Sequence, residues 1–572
     1  MAKVYGIDLG TTYSVIATLD DNGTPEVIQN YNDGGDLLAS AVFFPEGGMP
    51  VIGKEAKNQV EVEGHRVIQF VKRQIGKSNA QTYDFDGVAY DPITISALIL
   101  KRMKEYADEQ GYNVEDVVIT CPAYFGTEER NATRQAGIIA GLNVLNIVNE
   151  PTAAALNYCC REFKENRKMM VYDLGGGTFD ITLFDFSVDD AGKASIDVIK
   201  SGGDDRLGGV DWDERLYRYI SEVYEDETGV DKDSMEGELR QKIRSLAEEV
   251  KRGLSSMTNK SFTVNYAGDA TRIEVTREKF EELTQDLVER TMDFVRKLLT
   301  DTGVSENEVD VVLLVGGSTL MPMIKSVVEK LFPGKVRVEQ PNLAVAKGAA
   351  LAAAVEFNEK LRERVESNSL GSSDSAQTKE SAFEDAQPPL TESQAEDLMI
   401  NVPQVFSGGG GYVDKLARSF GLGVLNSSGN LFVDNLLFVG DVSPSELSRE
   451  YYTVYENQEF IRARIFENVA TDRENTAVTP CEDKNGNPQK TDLALKVKRI
   501  GELIVPLPPN TPKGSPLEVT FRSSARGLEV KAKVVSTGEL TETVIESENT
   551  KSPEELDEAV KQFALLKTSG QI

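Results

Sequence analysis

Histidine is almost missing from this chain: His65 is the only one among 572 residues. That leaves next to no room for imidazole catalysis or for a histidine-rich metal site. Cysteine is scarce as well, and its four residues are too few for a disulfide framework in a chain of this length. Cys159 and Cys160 are adjacent, so they cannot form an ordinary tertiary bridge with each other, and neither stands in a metal-ligand spacing. Buried thiols are the expectation for all four. No apolar run is long enough to span a bilayer, and Met1 does not open a basic-then-apolar leader, so a cytoplasmic location is expected. A phosphate loop ending in Gly-Lys-Ser/Thr is missing too, as is a dinucleotide fingerprint. Chemistry here must therefore run on carboxylates, lysine, hydroxyls and a metal held through oxygen.

Positive charge is in deficit. Against 93 acidic residues stand 62 basic ones, for a formal charge of −31. With no basic patch of useful length, neither nucleic acid nor an anionic membrane is an expected partner. The length calls for two to four domains. Residues 1–358 alternate β-branched runs with amphipathic stretches, for example Asp116–Thr120, then Glu128–Gly141, then Val144–Val148. This predicts an α/β domain. Gly6-Ile7-Asp8-Leu9-Gly10-Thr11-Thr12 is echoed by Val171-Tyr172-Asp173-Leu174-Gly175-Gly176-Gly177-Thr178, which suggests a duplicated, two-lobed fold with a cleft.

Residues 359–411 form an expected flexible linker, Ser-, Glu-, Gln- and Pro-rich, ending in Gly408–Gly411. Residues 412–547 read as antiparallel sheet. Leu528–Val534 alternates apolar and charged residues, Leu493, Leu495 and Val497 alternate with their neighbours, and Arg462 and Arg464 flank Ala463. Residues 548–572 hold one short helix, opened by the cap Ser552-Pro553-Glu554-Glu555.

Three glycine turns carry the chemistry. Asp8-Leu9-Gly10-Thr11-Thr12 follows a strand, lets backbone N–H groups approach a phosphate, and adds two hydroxyls and a carboxylate suited to hydrated Mg²⁺. Asp173-Leu174-Gly175-Gly176-Gly177-Thr178-Phe179-Asp180 repeats the device between two aspartates. Leu313-Leu314-Val315-Gly316-Gly317-Ser318-Thr319 is the third strand and turn, able to accept an adenosine or its phosphates.

The three turns in this order resemble the ATPase fold shared by actin, hexokinase and chaperones. Cys121–Phe125, Ala140–Val144, Asn149–Ala155, Phe70–Gly76 and Arg206–Asp211 narrow the resemblance to the seventy-kilodalton heat-shock chaperone family. The resemblance implies an actin-like (ribonuclease H-like) α/β ATPase domain followed by an antiparallel β-sandwich that binds peptide. It implies hydrolysis of ATP to ADP with Mg²⁺. By similarity, Gly10, Thr11, Thr12, Tyr13 and Gly175 to Thr178 (Gly176 and Gly177 included) cradle phosphate. Asp8 and Asp173 lie near the metal and Asp180 near the attacking water. Lys72 faces the γ-phosphate, with Glu150 beside it, and a plain Lys72–Glu150 salt bridge is the bland alternative. Gly208 and Gly209 belong to the same nucleotide site. Adenosine would meet Glu248, Lys251, Arg252 and Ser255, with Gly316, Gly317, Ser318 and Asn342. Leu320 stands where the family usually has an arginine packed on the adenine ring.

The family further implies unfolded or extended polypeptide as ligand, and a J-domain co-chaperone and a nucleotide exchange factor as partners. Phe432, Leu436, Leu437 and Phe438 read as β-domain core. Asp397–Val402 is the candidate for the family's short apolar linker, and the family's long helical lid has room here for about one helix. A binding switch for one dedicated partner is the alternative function.

Overall fold

A computed structural model describes the chain except for residues 1–2, 32, 163–164, 190–193, 236, 267–268, 370–389, 404–410, 427–428, 444, 475, 480–495, 525–526, 546–549, 567 and 569–572. Leu493, Leu495, Gly408 to Gly410 and Cys481 lie outside the described residues.

The echo seen in the sequence is a repeated topology. In lobe one the strands β1 (Val4–Asp8), β2 (Tyr13–Leu19), β3 (Pro25–Val27), β4 (Leu38–Ala39), β5 (Asp116–Cys121) and β6 (Asn143–Asn149) form one sheet. Its order is β6-β5-β1-β2-β3, with β4 also paired to β2. β1 runs parallel to β5 and antiparallel to β2. Lobe two repeats this with β7 (Arg167–Leu174), β8 (Phe179–Val188), β9 (Ala194–Asp204), β10 (Val311–Val315) and β11 (Val336–Val338), in the order β11-β10-β7-β8-β9. β7 is parallel to β10 and antiparallel to β8. The two glycine turns between β1 and β2 and between β7 and β8 thus occupy equivalent places. β1, β5, β7 and β10 are buried almost throughout, as strands covered on both faces must be.

Helix α1 (Lys54–Asn58) packs through Ala56 on a small three-stranded sheet that includes Ala41–Phe43, and α2 (Thr127–Ile139) follows β5. α3 (Glu150–Glu162) follows β6. Beyond β9, α4 (Gly209–Thr228) and α5 (Gly237–Leu254) cover lobe two. α6 (Ala344–Ser369) runs past residue 358 and packs with α3 in the seam between the two sheets. Alanine makes that seam possible: Ala153 to Ala155 meet Ala346, Ala349, Ala350 and Ala352 to Ala354. At Gly348 an added Cβ would lie 1.6 Å from the Ala153 carbonyl oxygen, so the two helices touch backbone to backbone.

The expected linker is not wholly detached from the folded core. Within it, α7 (Glu392–Leu398) is capped by Thr391 and continues into Met399–Val402, docked on lobe one. The strand that joins the ATPase sheet to the second domain comes later: β12 (Gly411–Lys415) pairs in parallel with β9 and antiparallel with the short strand Val442–Ser443. Asp397–Val402, read as the linker candidate, therefore has a different berth from the joining strand.

The second domain is a sandwich of a five-stranded and a four-stranded antiparallel sheet around one core. Leu436 and Leu437 belong to it, Phe438 is buried outside it and Phe432 is half-buried. Helix α8 (Pro553–Leu565) has the expected Ser552 cap. Its apolar face packs on lobe one: Phe563 is buried there, Lys101 donates 2.7 Å to the Phe563 carbonyl, and Lys551 lies 2.5 Å from Asp91. Cys121 and Cys159 are buried and Cys160 is half-buried, all three outside any disulfide. Among the described residues no helix is long and apolar enough to cross a membrane.

Candidate active site

The strand-end turns meet face to face. Gly209 N–H donates 2.9 Å to the Gly175 carbonyl, Val210 N–H donates 2.9 Å to Gly176, and Ser318 Oγ donates 2.8 Å to the Gly175 carbonyl. The second glycine loop is thereby stitched to Gly209 and Val210 at the N-terminus of α4 and to the third turn at Ser318. Across the cleft, a Cβ at Gly176 would fall 2.0 Å from Thr12 Oγ1, so only glycine permits this approach. A Cβ at Gly177 would fall 2.5 Å from Thr11 Cγ2. The first turn is held from behind: Ser14 Oγ accepts from Gly10 N–H at 3.2 Å, and Ser40 Oγ donates 2.8 Å to the Gly10 carbonyl. Thr12 Oγ1 is buried and has no hydrogen-bond partner among the described residues. Buried hydroxyls are normally satisfied, so this one suits a ligand oxygen.

Behind the turns lie Glu150, Asp173 and Asp180, all buried, and the half-buried Asp8, around the ammonium of Lys72. Lys72 and Glu150 form a direct ion pair. Asp8 accepts from Thr120 Oγ1 at 3.2 Å, and Asp180 accepts from the Ala123 N–H at 3.1 Å. Burial and then Glu150 push the Asp8 carboxyl up to about 7. Burial, with Glu150 next, raises Asp173 and Asp180 well above the ordinary carboxylate range. Burial works against the Lys72 charge, but Glu150 and Asp8 outweigh it and hold that ammonium above the usual lysine value. Three buried carboxyl groups and the half-buried Asp8 against one cation leave an excess of negative charge that so enclosed a site does not tolerate. A divalent cation fits that excess. Among the described residues no group of three or more His, Cys, Asp or Glu is arranged to hold a metal directly. Such an ion would be held largely through water and phosphate oxygens, as Mg²⁺ prefers.

The residues expected around adenosine divide into two sets. Gly316, Gly317 and Ser318 sit beside Asn342, whose Oδ1 would lie 2.7 Å from a Cβ on Gly317. Leu320 follows them and is exposed. The α5 residues are engaged with the walls of the cleft. Glu248 Oε1 lies 2.7 Å from Lys57 Nζ, Lys251 Nζ lies 2.7 Å from Asp213, and Arg252 donates 3.1 Å to the Tyr13 hydroxyl. Ser255, just past α5, has only a long contact of 3.5 Å to the Lys251 carbonyl.

Sequence reasoning missed three groups at this site. Lys57 reaches both Glu248 and the Tyr13 hydroxyl, the latter at 3.0 Å. Arg73 donates to the Gly177 carbonyl and pairs with Asp211 at 3.0 Å, locking the second glycine loop. Asp213 anchors Lys251. Arg73 and Asp211 stand inside segments that carried the family resemblance, next to Lys72 and Gly209, which was the one available signal. Lys57 had none.

An Hsp70 protein family model matches residues 4–367. The chaperone protein DnaK of Thermotoga neapolitana is 40% identical over 362 residues, covering 62% of this chain and 59% of that relative. The aligned region thus spans less than two thirds of the relative's length. The family match, in contrast, takes in well over half of this chain, and it includes all three glycine turns, Lys72 and the carboxylates gathered around it. The chain belongs to the Hsp70 family.

Proposed function

We propose that this protein is a chaperone ATPase: it hydrolyses ATP to ADP and phosphate and uses that cycle to control how its β-sandwich domain holds unfolded or extended polypeptide. The observation that carries the reading is the buried Lys72 beside Glu150, Asp8, Asp173 and Asp180, directly behind loops whose backbone can reach phosphate. Phosphoryl transfer needs positioning and charge neutralisation more than covalent help. Thr11, Thr12, Tyr13 and Gly175 to Thr178 would position the phosphates, with Gly208 and Gly209 adding the α4 N-terminus. Lys72 would offset charge on the γ-phosphate. Asp180, tied to Ala123, would orient the attacking water, with Glu150 and Thr178 as its neighbours. Asp8 and Asp173 would hold Mg²⁺, which supplies neutralisation of phosphate charge. Glu248, Lys251, Arg252 and Ser255 would face adenosine from one side and Gly316 to Ser318 with Asn342 from the other.

The relative's name, a chaperone protein, supports the second half of the reading. So does the sandwich joined to the ATPase sheet through β12. A J-domain co-chaperone, a nucleotide exchange factor and a cytoplasmic setting go with the family. The test is single-turnover hydrolysis of ATP with and without an extended, unfolded peptide, together with peptide release measured by fluorescence anisotropy. Hydrolysis that depends on Mg²⁺, and release that ATP accelerates, are expected. An enzyme that turns over ATP but binds no peptide would leave only the ATPase half standing.

A further inference from the structure

Asn358 on α6 is 5% exposed, and both ends of its amide are taken by the backbone of one distant residue. Its Nδ2 donates 2.9 Å to the Ile400 carbonyl, and its Oδ1 accepts from the Ile400 N–H at 2.9 Å. This reciprocal pair reads an extended backbone as a strand neighbour would. Ile400 and Val402 pack against the apolar seam between the two sheets, Asn401 Nδ2 donates 2.9 Å to the Asp21 carbonyl of lobe one, and Ala395 of α7 is buried beside α6. Three side chains, a buried amide and a capped helix thus fix Met399–Val402 on a surface that the nucleotide site does not use.

We propose that the Asn358 surface is a docking site for an extended apolar segment, filled by the chain's own Met399–Val402, and that it serves as a latch placing β12 at its seat on β9. The reason is chain length. Between Ser369 and Gly411 stand 41 residues, and between Val402 and Gly411 stand 8. Effective concentration falls as roughly the three-halves power of the span to be closed, so anchoring Ile400 raises it about tenfold for the β12–β9 pairing. β12 is also the strand onto which Val442–Ser443 of the sandwich pairs, so the latch bears on how firmly the two domains are joined.

Backbone hydrogen exchange on the full chain tests the latch without reference to function. Asn358→Leu removes both hydrogen bonds, and Ile400→Ser alters only the docked segment, which keeps the test sound should the buried change unsettle α6. Exchange across residues 399–402 should quicken at least tenfold in both variants. Unchanged protection in Ile400→Ser, or in a folded Asn358→Leu, would overturn the docking site. The coupling rests on the chaperone reading above. In the same variants, the ATP acceleration of peptide release should drop about tenfold while hydrolysis without peptide stays at the wild-type rate. Full acceleration despite lost protection would overturn the role in coupling. Wild-type protein that shows no ATP-dependent release would instead sink the functional reading, and the exchange result would still decide the docking site.

Discussion

Lys57 Nζ lies 2.7 Å from Glu248 Oε1, although the residues are 191 positions apart and stand on different lobes. The Tyr13 hydroxyl joins them, and the Lys57 ammonium lies over its ring. Burial opposes the charge on Glu248, yet Lys57 outweighs it and holds the carboxyl below its ordinary range. The pair is a clasp between the two lobes, and Glu248→Ala should let the cleft open more readily. A partly exposed ion pair contributes about 1 kcal/mol, so ADP release should speed up roughly fivefold. Stopped-flow release of a fluorescent ADP would show it, and an unchanged rate would mean that the clasp does not limit opening.

Lys72→Ala and Asp173→Asn should each cut single-turnover hydrolysis by about a hundredfold or more, in the range found for loss of one preorganised charge-stabilising group. Circular dichroism should stay at wild type, since both side chains face the cleft. Near-normal turnover in both variants would remove these residues from the site.

Asp8 provides a test in pH. Its carboxyl, at about 7 in the nucleotide-free protein, stands above the ordinary aspartate value of 3.8. A raised carboxyl means that the folded state binds more protons than the unfolded state between those two values. Stability of the nucleotide-free protein should therefore fall as pH rises from 4 to 7 and level off above, with Asp8 contributing to the slope. Binding Mg²⁺ and nucleotide should favour the ionised form and release protons near pH 6.5. Titration calorimetry in buffers of different ionisation enthalpy measures that release, and Asp8→Asn should reduce it. Equal proton release in wild type and variant would clear Asp8 of the role.

Leu320 is exposed beside Gly316–Ser318, where the family pattern carries an arginine. Leu320→Arg should place a cation over the adenine face. Such a contact contributes roughly 0.5–2 kcal/mol, so ATP and ADP should bind about 2- to 30-fold more tightly. Calorimetric titration with both nucleotides decides it, and weaker binding would show that the base lies elsewhere.

The features legible in the order of residues alone were local ones. Period-two alternation marked Leu528–Val534, inside the strand Gly527–Val534. Ser552-Pro553 placed the start of α8, because a cap depends on residues three positions apart. The glycine turns were legible because each follows a buried strand directly, and their repetition announced the two lobes before the sheets were seen. Tertiary structure decided the rest. Lys57 carried no local signal, since its role exists only once α1 faces α5. Met399–Val402 read as a linker because its few apolar residues cannot fold alone, and only the buried amide of Asn358 turns them into a docked segment. The start of α8 was legible, but the seat of its apolar face on lobe one is settled only by tertiary packing. Spacing along the chain fixes which groups share a face, whereas pairing between faces hundreds of residues apart is settled by packing.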